Sequence, residues 1–548
     1  MTLVALVAAG VFLFVRILPP GPAAVDVSAW ADLVARTIPG AYHVHTTRSD
    51  GMGDRAAVAA AAARAGLGFV IVTDHGDGTR PPDPPEYIGG VLVLDAVEIS
   101  TIGGHYVALE MPRAPYPLGG AADAVVEDVR RLGGFGIAAH PDSPKPALRW
   151  TDVRAPIDGV EWLNTDSEWR DEPRSRLARA VAGYFLRPGP AIAALFDRPV
   201  TLERWDQLTR FRPVVALAAA DAHGGVGRAA EDTGRTFFGT AGIPKYEASF
   251  RAFSNRVVLD RPLTGTAAAD ARAIYGAIRR GSVFSTIDAL AAPAALDFHV
   301  EAALGQIPMG GVLPEDSDAT IVARAATPPG AELVLLHNGH EVATGRGEIR
   351  HAVTEAHGAY RVEVRLPGAP GTPPIPWLVS NPVYFGATAS SMAPQAAAPT
   401  PGGAPIAPFP WRIEKDASSS ATLRPGAHEV ELAYTLGGGG AVSQFVAIAS
   451  DLTRQAFTAI DLGLSGDRPL RVSIQVRTAG GQRWGRSYYV EPSGSHLRIP
   501  LSGLRPIDSA PATVASIDVT SILLVVDLAN AAPGQSGTLR VTGSALVN

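Results

Sequence analysis

Six of the thirteen histidines lie before residue 290, and each sits in a short polar break after an apolar, strand-like run. They are His43 and His45 in "AYHVHTTRSDG", His75 in "GFVIVTDHGDG", His105 in "GGHYVAL", His140 in "GFGIAAHPDS" and His223 in "VVALAAADAHGG". Three carboxylates accompany them: Asp50, Glu98 in "VLVLDAVEIS", and Asp221. Imidazoles and carboxylates at the ends of successive strands suit a multinuclear metal site, because several hard and borderline ligands must converge on one point. The other seven histidines fall in the later half of the chain and show no comparable spacing. One geometric condition attaches to His43-x-His45. Side chains alternate along a strand, so both imidazoles reach one face only where the backbone bends.

The elements that must position these residues alternate in type. From Ala41 to about Leu290, apolar runs such as "FVIVTDH", "VLVLDAVEI" and "FGIAAHPD" are separated by helical patterns, among them Arg55 to Ala65 and Ala121 to Leu132. Continuous apolar strands separated by helices predict a parallel α/β sheet or barrel, with function at the carboxyl ends of its strands. After about Ala292 short alternating runs replace the helices, which predicts a small Ig-like β-sandwich over 292–386. A Pro/Ala-rich linker spans 387–410, and many further strands predict a larger, jelly-roll-like sandwich over 411–548.

Composition narrows the functions. At 548 residues the chain is long enough for two to four domains, and 46% hydrophobic with 18% charged content is globular. A net charge of −6 gives no ground for nucleic-acid binding. The chain has no cysteine, so its metal ligands must be His, Asp and Glu. Thr2 to Val15 is apolar throughout and is followed by Arg16, Pro19 and Pro20. Residues 1–24 therefore read as a signal peptide or an N-terminal membrane anchor, which places the protein outside the cytoplasm (periplasmic or extracellular) or tethered to a membrane.

The ordered set "HVHTTRSDG", "TDH", a lone Glu after a strand, "GH", "AHPD" and "DAH" resembles the PHP (polymerase and histidinol phosphatase) superfamily over about residues 38–290. The strand-rich stretch with "YRVEV" and "PWLVSNPVYF" looks like the appendage of the branch that includes carbaryl-type esterases. The resemblance implies a distorted (β/α)7 barrel with two or three divalent metals, Mn, Fe or Zn. His43, His45 and Asp221 would hold one, and Glu98 would bridge to a second completed by His105 and His140. Asp50, His75 and His223 would hold a third. Glu98, Asp221 and His223 would carry the chemistry, in which a metal-bridging hydroxide attacks a phosphoester or a carboxyl or carbamate ester.

Other residues are weaker candidates. Glu161, Asn164 and Glu168 line the pocket or serve as caps, and Arg228 either neutralises a phosphate or is a solvated loop arginine. Asp74 and Asp142 adjoin ligands and could orient imidazoles. Trp411, Trp484, Tyr488 and Tyr489 form either a sugar-stacking face or ordinary sandwich packing. The competing reading is an exported glycan-binding or adhesion protein with a degenerate barrel. A nucleic-acid-processing hydrolase has the acidic balance against it.

Overall fold

A computed structural model describes residues 18–225, 243–386 and 410–547, apart from 304, 316, 427–428, 442 and 508–509. The chain forms two compact units. The first comprises residues 1–76, 82–111 and 133–391, and the second 77–81, 112–132 and 392–548. Of the segment 1–24, residues 1–17 lie outside the described residues, as does most of the linker at 387–410. Among the described residues no helix is long and apolar enough to cross a membrane.

In the first unit, strands β1 (Thr37–Ala41), β2 (Phe69–Val72) and β3 (Val91–Asp95) pair in parallel. All four residues of the "FVIV" strand are buried. Helix α1 (Arg55–Arg64) joins β1 to β2, and its N-cap Asp54 accepts a hydrogen bond from Ala57 N. Past Ala96, β3 continues as β4 (Val97–Thr101), which pairs antiparallel with β5 (Gly104–Leu109), and β5 pairs antiparallel with β6 (Phe135–Ala138). Parallel pairing resumes through β7 (Gly159–Asn164) to β8 (Val215–Ala219). The circuit then closes, because Ala220 N donates to Tyr42 O and Val44 bridges Ala222 in parallel. Phe69, Ile71, Leu92, Val107, Ile137 and Leu217 pack into one core with Ile274 of a helix at Ala267–Arg279.

The all-parallel expectation therefore fails at β5. Only Ile102 and Gly103 separate β4 from β5, far fewer residues than a parallel crossover requires.

The boundary expected between 290 and 292 is not a break in the sheet. β1 pairs with β9 (Ser254–Val258), which pairs with β10 (Val283–Thr286), and β10 pairs with Leu378–Ser380. Asn381 fixes the junction, accepting from Ala216 N and donating to Ala216 O and Val283 O. The strands of 292–386 form a four-stranded antiparallel sheet and an extension of the first unit's main sheet.

In the second unit, a six-stranded and a five-stranded sheet, antiparallel throughout, make a β-sandwich. Ile448, Val472 and Leu524 of one sheet pack with Leu432, Leu462 and Leu539 of the other. Burial alternates strictly along Val430–Thr435. The helix Ala122–Arg131, which the pattern assigned to the first domain, belongs to this unit. A buried bidentate pair holds it there: Arg471 Nε and Nη2 donate to the Asp128 carboxylate at 2.7 and 3.0 Å. Trp411 and Trp484 are buried, and the Arg131 guanidinium lies 3.5 Å from the centre of the Tyr489 ring. Trp411, Trp484 and Tyr488 pack the sandwich core, whereas Tyr489 is half-buried beneath Arg131.

Candidate metal centre

The bend required by His43-x-His45 is present. His43 has φ of +64°, in the left-handed region that L-residues seldom occupy. His140 and Asp221 also sit there, at +33° and +43°. Three of the nine candidate ligands thus carry backbone strain, which proteins retain where surrounding structure over-determines the geometry. Gly224 follows at φ +73°, and a Cβ on it would lie 2.3 Å from the Tyr246 ring. That ring must approach closely, since its hydroxyl donates to His45 O and accepts from Gly53 N.

All nine candidate ligands come together. His43, His45, His75, His140, Asp50, Asp221 and His223 follow strand ends, and Glu98 lies on β4. His105 differs: it opens β5 instead of ending a strand, and because β5 runs antiparallel its beginning lies on the same rim. Glu98 is the hub. Its Oε1 lies 2.7 Å from His105 Nδ1 and 2.9 Å from His140 Nε2. Its Oε2 lies 3.1 Å from His75 Nδ1, 3.3 Å from His43 Nε2 and 3.4 Å from His45 Nε2. Asp221 Oδ1 is 3.6 Å from His43 Nε2 and 3.4 Å from His45 Nε2. At the more open side, Asp50 Oδ2 is 3.2 Å from His223 Nε2 and 3.6 Å from His75 Nε2.

The arrangement fits divalent cations. His43 Nε2, His45 Nε2 and Glu98 Oε2 are buried and have no hydrogen-bond partner. Donor atoms about 2.1 Å from a shared tetrahedral ion sit about 3.4 Å apart, which is the spacing found. The ligand atoms form overlapping sets within 4.8 Å of one another: His43, His45 and Asp221; His43, Glu98 and His140; His45, Asp50 and His223; His45, His75 and Glu98. His75 groups with His45 and Glu98 and also lies 3.6 Å from Asp50.

Without cations the cluster balances itself by protonation. Burial disfavours the His43 imidazolium, yet Glu161, Asp221 and Glu98 outweigh it and hold its pKa well above the usual range. Burial likewise opposes the charged forms of Glu98 and Asp221, but the surrounding imidazoles keep both far below ordinary carboxylates. His223 is pushed up to about 9, burial being overcome by Asp50 and Asp221. His45 moves the other way, lowered by burial and by the neighbouring His223 charge.

The outer layer departs from expectation. Glu161, fully buried, lies 2.6 Å from His43 Nδ1 and accepts from His140 N and Asn164 Nδ2. A carboxylate only accepts, so the proton sits on His43 Nδ1 and Nε2 faces the cluster. Asn164 donates to Asp221 Oδ2 and its Oδ1 caps the next helix through Ser167 N; it is part of the supporting wall and does not line the cavity. Asp74 accepts from Thr46 N, Thr46 Oγ1 and Ser49 Oγ, pinning the loop before Asp50. Asp142 accepts from Thr201 N and Arg204 Nη1. Asp142 touches no imidazole, whereas Asp74 reaches His45 only through Ser49, whose Oγ lies 3.5 Å from His45 Nδ1. Arg228 lies outside the described residues.

No protein-family model matches the sequence, and no curated protein matches it. Solved structures do. A family 11 carbohydrate-binding module of a Clostridium thermocellum cellulosomal cellulase is similar over 25% of this chain and 87% of its own, at 16% identity and a TM-score of 0.21. Carbohydrate-binding modules of the β-sandwich superfamily match over 47% of this chain and 99% of theirs, at 10% identity and 0.21. An exo-β-agarase matches over 25% and 23%, at 9% identity and 0.19. The sandwich itself rests on the strand pairing described above.

Proposed function

We propose that the chain is a metal-dependent hydrolase of ester bonds, of the PHP type, acting on a phosphoester or a carboxyl or carbamate ester. One observation carries this reading: His43 Nε2, His45 Nε2 and Glu98 Oε2 are buried, unpartnered and spaced as ligands of a common ion. The closed circuit of strands is compatible with the distorted (β/α)7 barrel the family resemblance implies. Two or three ions of Mn, Fe or Zn would supply Lewis acidity and acidify a water towards neutral pH.

The chain's own residues do the rest. Glu98 presents one oxygen to His105 and His140 and the other to His43, His45 and His75, so a single carboxylate spans neighbouring ligand sets. Glu161 holds the His43 ring, and Asn164 holds both Glu161 and Asp221. The Asp50 and His223 side chains are partly exposed, which makes their side the entry for an ester. On this reading residues 1–24 export or anchor the enzyme.

Metal analysis of the full chain by plasma mass spectrometry, followed by p-nitrophenyl ester and phosphoester assays, tests the proposal. Turnover that a chelator abolishes is the expected result; none from metal-replete protein would overturn it. The double variant His43→Ala/His45→Ala should lose bound metal, and full occupancy in it would refute the ligand assignment. The second reading is glycan binding by 411–548, and a similar family 11 carbohydrate-binding module in complex with a β-1,3-1,4-mixed-linked tetrasaccharide suggests a probe for it. An exported glycan binder with a degenerate barrel predicts capture of β-1,3-1,4-mixed-linked oligosaccharides by a chain that holds no metal.

A further inference from the structure

Next to the cavity that contains the ligands lies a second one, and the two share Thr165, Trp169 and Pro244 as lining residues. The wall of the second is apolar: Leu177, Ala180, Ile192, Leu195 and Phe196 contribute most of it. Its cavity volume is about 60 Å³, against about 180 Å³ for the ligand cavity. Burial pushes the Glu168 carboxyl on this wall up to about 8, so at neutral pH even that group is largely uncharged. An accessible apolar recess that opens beside polar ligands is costly to leave wet, and such recesses mark the place where an apolar part of a ligand is received.

The ligand cavity offers the complementary chemistry. Lys145 lines it, and among the described residues its ammonium has no carboxylate or hydrogen-bond partner. The neighbouring cation differs, since Arg170 is held by Asp166 at 2.5 and 2.9 Å. A free ammonium is a compact point charge suited to a phosphoryl oxygen.

Resting on the hydrolase reading, the geometry points to a narrower substrate class: phosphoesters of a compact apolar alcohol or phenol. The phosphoryl group lies against the ligand cluster and Lys145, and the apolar group fills the recess beyond Trp169. In the reaction the water oxygen bonds to phosphorus and the bond from phosphorus to the ester oxygen breaks. That electron pair leaves on the ester oxygen, which takes one proton of the water, while the other stays with the phosphate.

The test uses metal-replete full-length protein with phenyl phosphate and 1-naphthyl phosphate, whose phenols are of similar acidity. The expected result is a kcat/KM about tenfold higher or more for the naphthyl ester, from the apolar burial of its one added ring. Ala180→Trp, which fills the recess, should bring that ratio close to one, and Leu177→Ala, which widens it, should raise the ratio for bulkier aryl groups. Lys145→Gln should raise KM for both phosphates about tenfold or more, with a smaller change in kcat. Hydrolysis of both esters with a ratio near one in the unmodified protein overturns this inference and leaves the hydrolase reading intact. Calorimetric binding of 1-naphthylmethylphosphonate that Ala180→Trp abolishes, without turnover of any ester, supports the recess and overturns the hydrolase reading.

Discussion

The first unit contains two buried polar clusters that differ in how their charges are met. In one, Arg361 Nε and Nη2 donate to Asp206 at 2.6 and 2.7 Å and Nη1 donates to Glu363 at 2.8 Å, while Arg198 donates twice to Glu363 at 2.7 and 2.9 Å. Three guanidiniums face the two carboxylates, since Arg365 also donates to Glu363, and no buried side-chain atom of the group is left without a partner. In the other, imidazoles and carboxylates meet with, among the described residues, no arginine or lysine in ion-pair contact with the candidate ligands, and buried atoms of His43, His45 and Glu98 stay unpaired. The first cluster is complete as it stands and ties α-helical residues at Thr201–Thr209 to the strand at Gly358–Arg365. The second requires cations or protons. Burial alone therefore does not mark a site; unmet donor capacity does.

Breaking the complete cluster should have the largest effect on stability. Arg361→Met leaves Asp206 without its guanidinium and Glu363 with only Arg198 and Arg365, and removing one partner of a buried pair costs about 3–5 kcal/mol. The denaturation midpoint of the full chain, followed by circular dichroism, should fall accordingly, while metal content per folded molecule stays unchanged. A shift below about 1 kcal/mol would show that the pair is not holding this junction.

Acid should find the same cluster. Burial raises the Glu363 carboxyl, but Arg361 and Arg198 outweigh it and bring its pKa down to about 2, against 4.5 for the free group. A depressed carboxylate stabilises the fold fully above its unfolded pKa, and that contribution is lost as pH falls from about 4.5 through 2. The difference amounts to something on the order of 3 kcal/mol. Stability measured against pH should therefore drop more steeply below pH 4.5 in the parent chain than in Arg361→Met. Parallel profiles would remove Glu363 from the account.

How much of this could be read from the residues differs by element. Most of the nine candidate ligands were legible because they interrupt or follow an apolar run at a rim, where a polar residue has few structural reasons to be. The antiparallel course of β5 was legible in principle, since two residues between strands permit only a hairpin. The continuation of the sheet into Leu378–Ser380 was not, because pairing with Thr286 depends on contacts nearly a hundred residues away that no local pattern encodes. Glu161 left a signal: it is a charge inside the otherwise apolar "GVEWLN" strand. Lys145 left another, as one of three lysines in a chain with 47 basic residues. Asp142 misled in the opposite sense, since adjacency to His140 in sequence placed its carboxylate on Thr201 and Arg204.

Glu161 and Asp142 offer the sharpest small-scale version of the comparison, because both are carboxylates next to the ligand set and only one touches an imidazole. Glu161→Gln keeps the shape but replaces a charged acceptor 2.6 Å from His43 Nδ1 with a neutral amide, so the ring loses basicity and its preferred proton position. Outer carboxylates of this kind are worth about 10- to 100-fold in metal affinity. Isothermal titration of chelated, full-length protein with Zn or Mn should show that loss, whereas Asp142→Asn should leave the affinity within about twofold. Asp142 does have a structural task, receiving Thr201 N where a helix begins, so its variant should cost roughly 0.5–2 kcal/mol of stability instead. Equal losses of metal from both variants would mean that general negative charge around the cluster matters and the single contact to His43 does not.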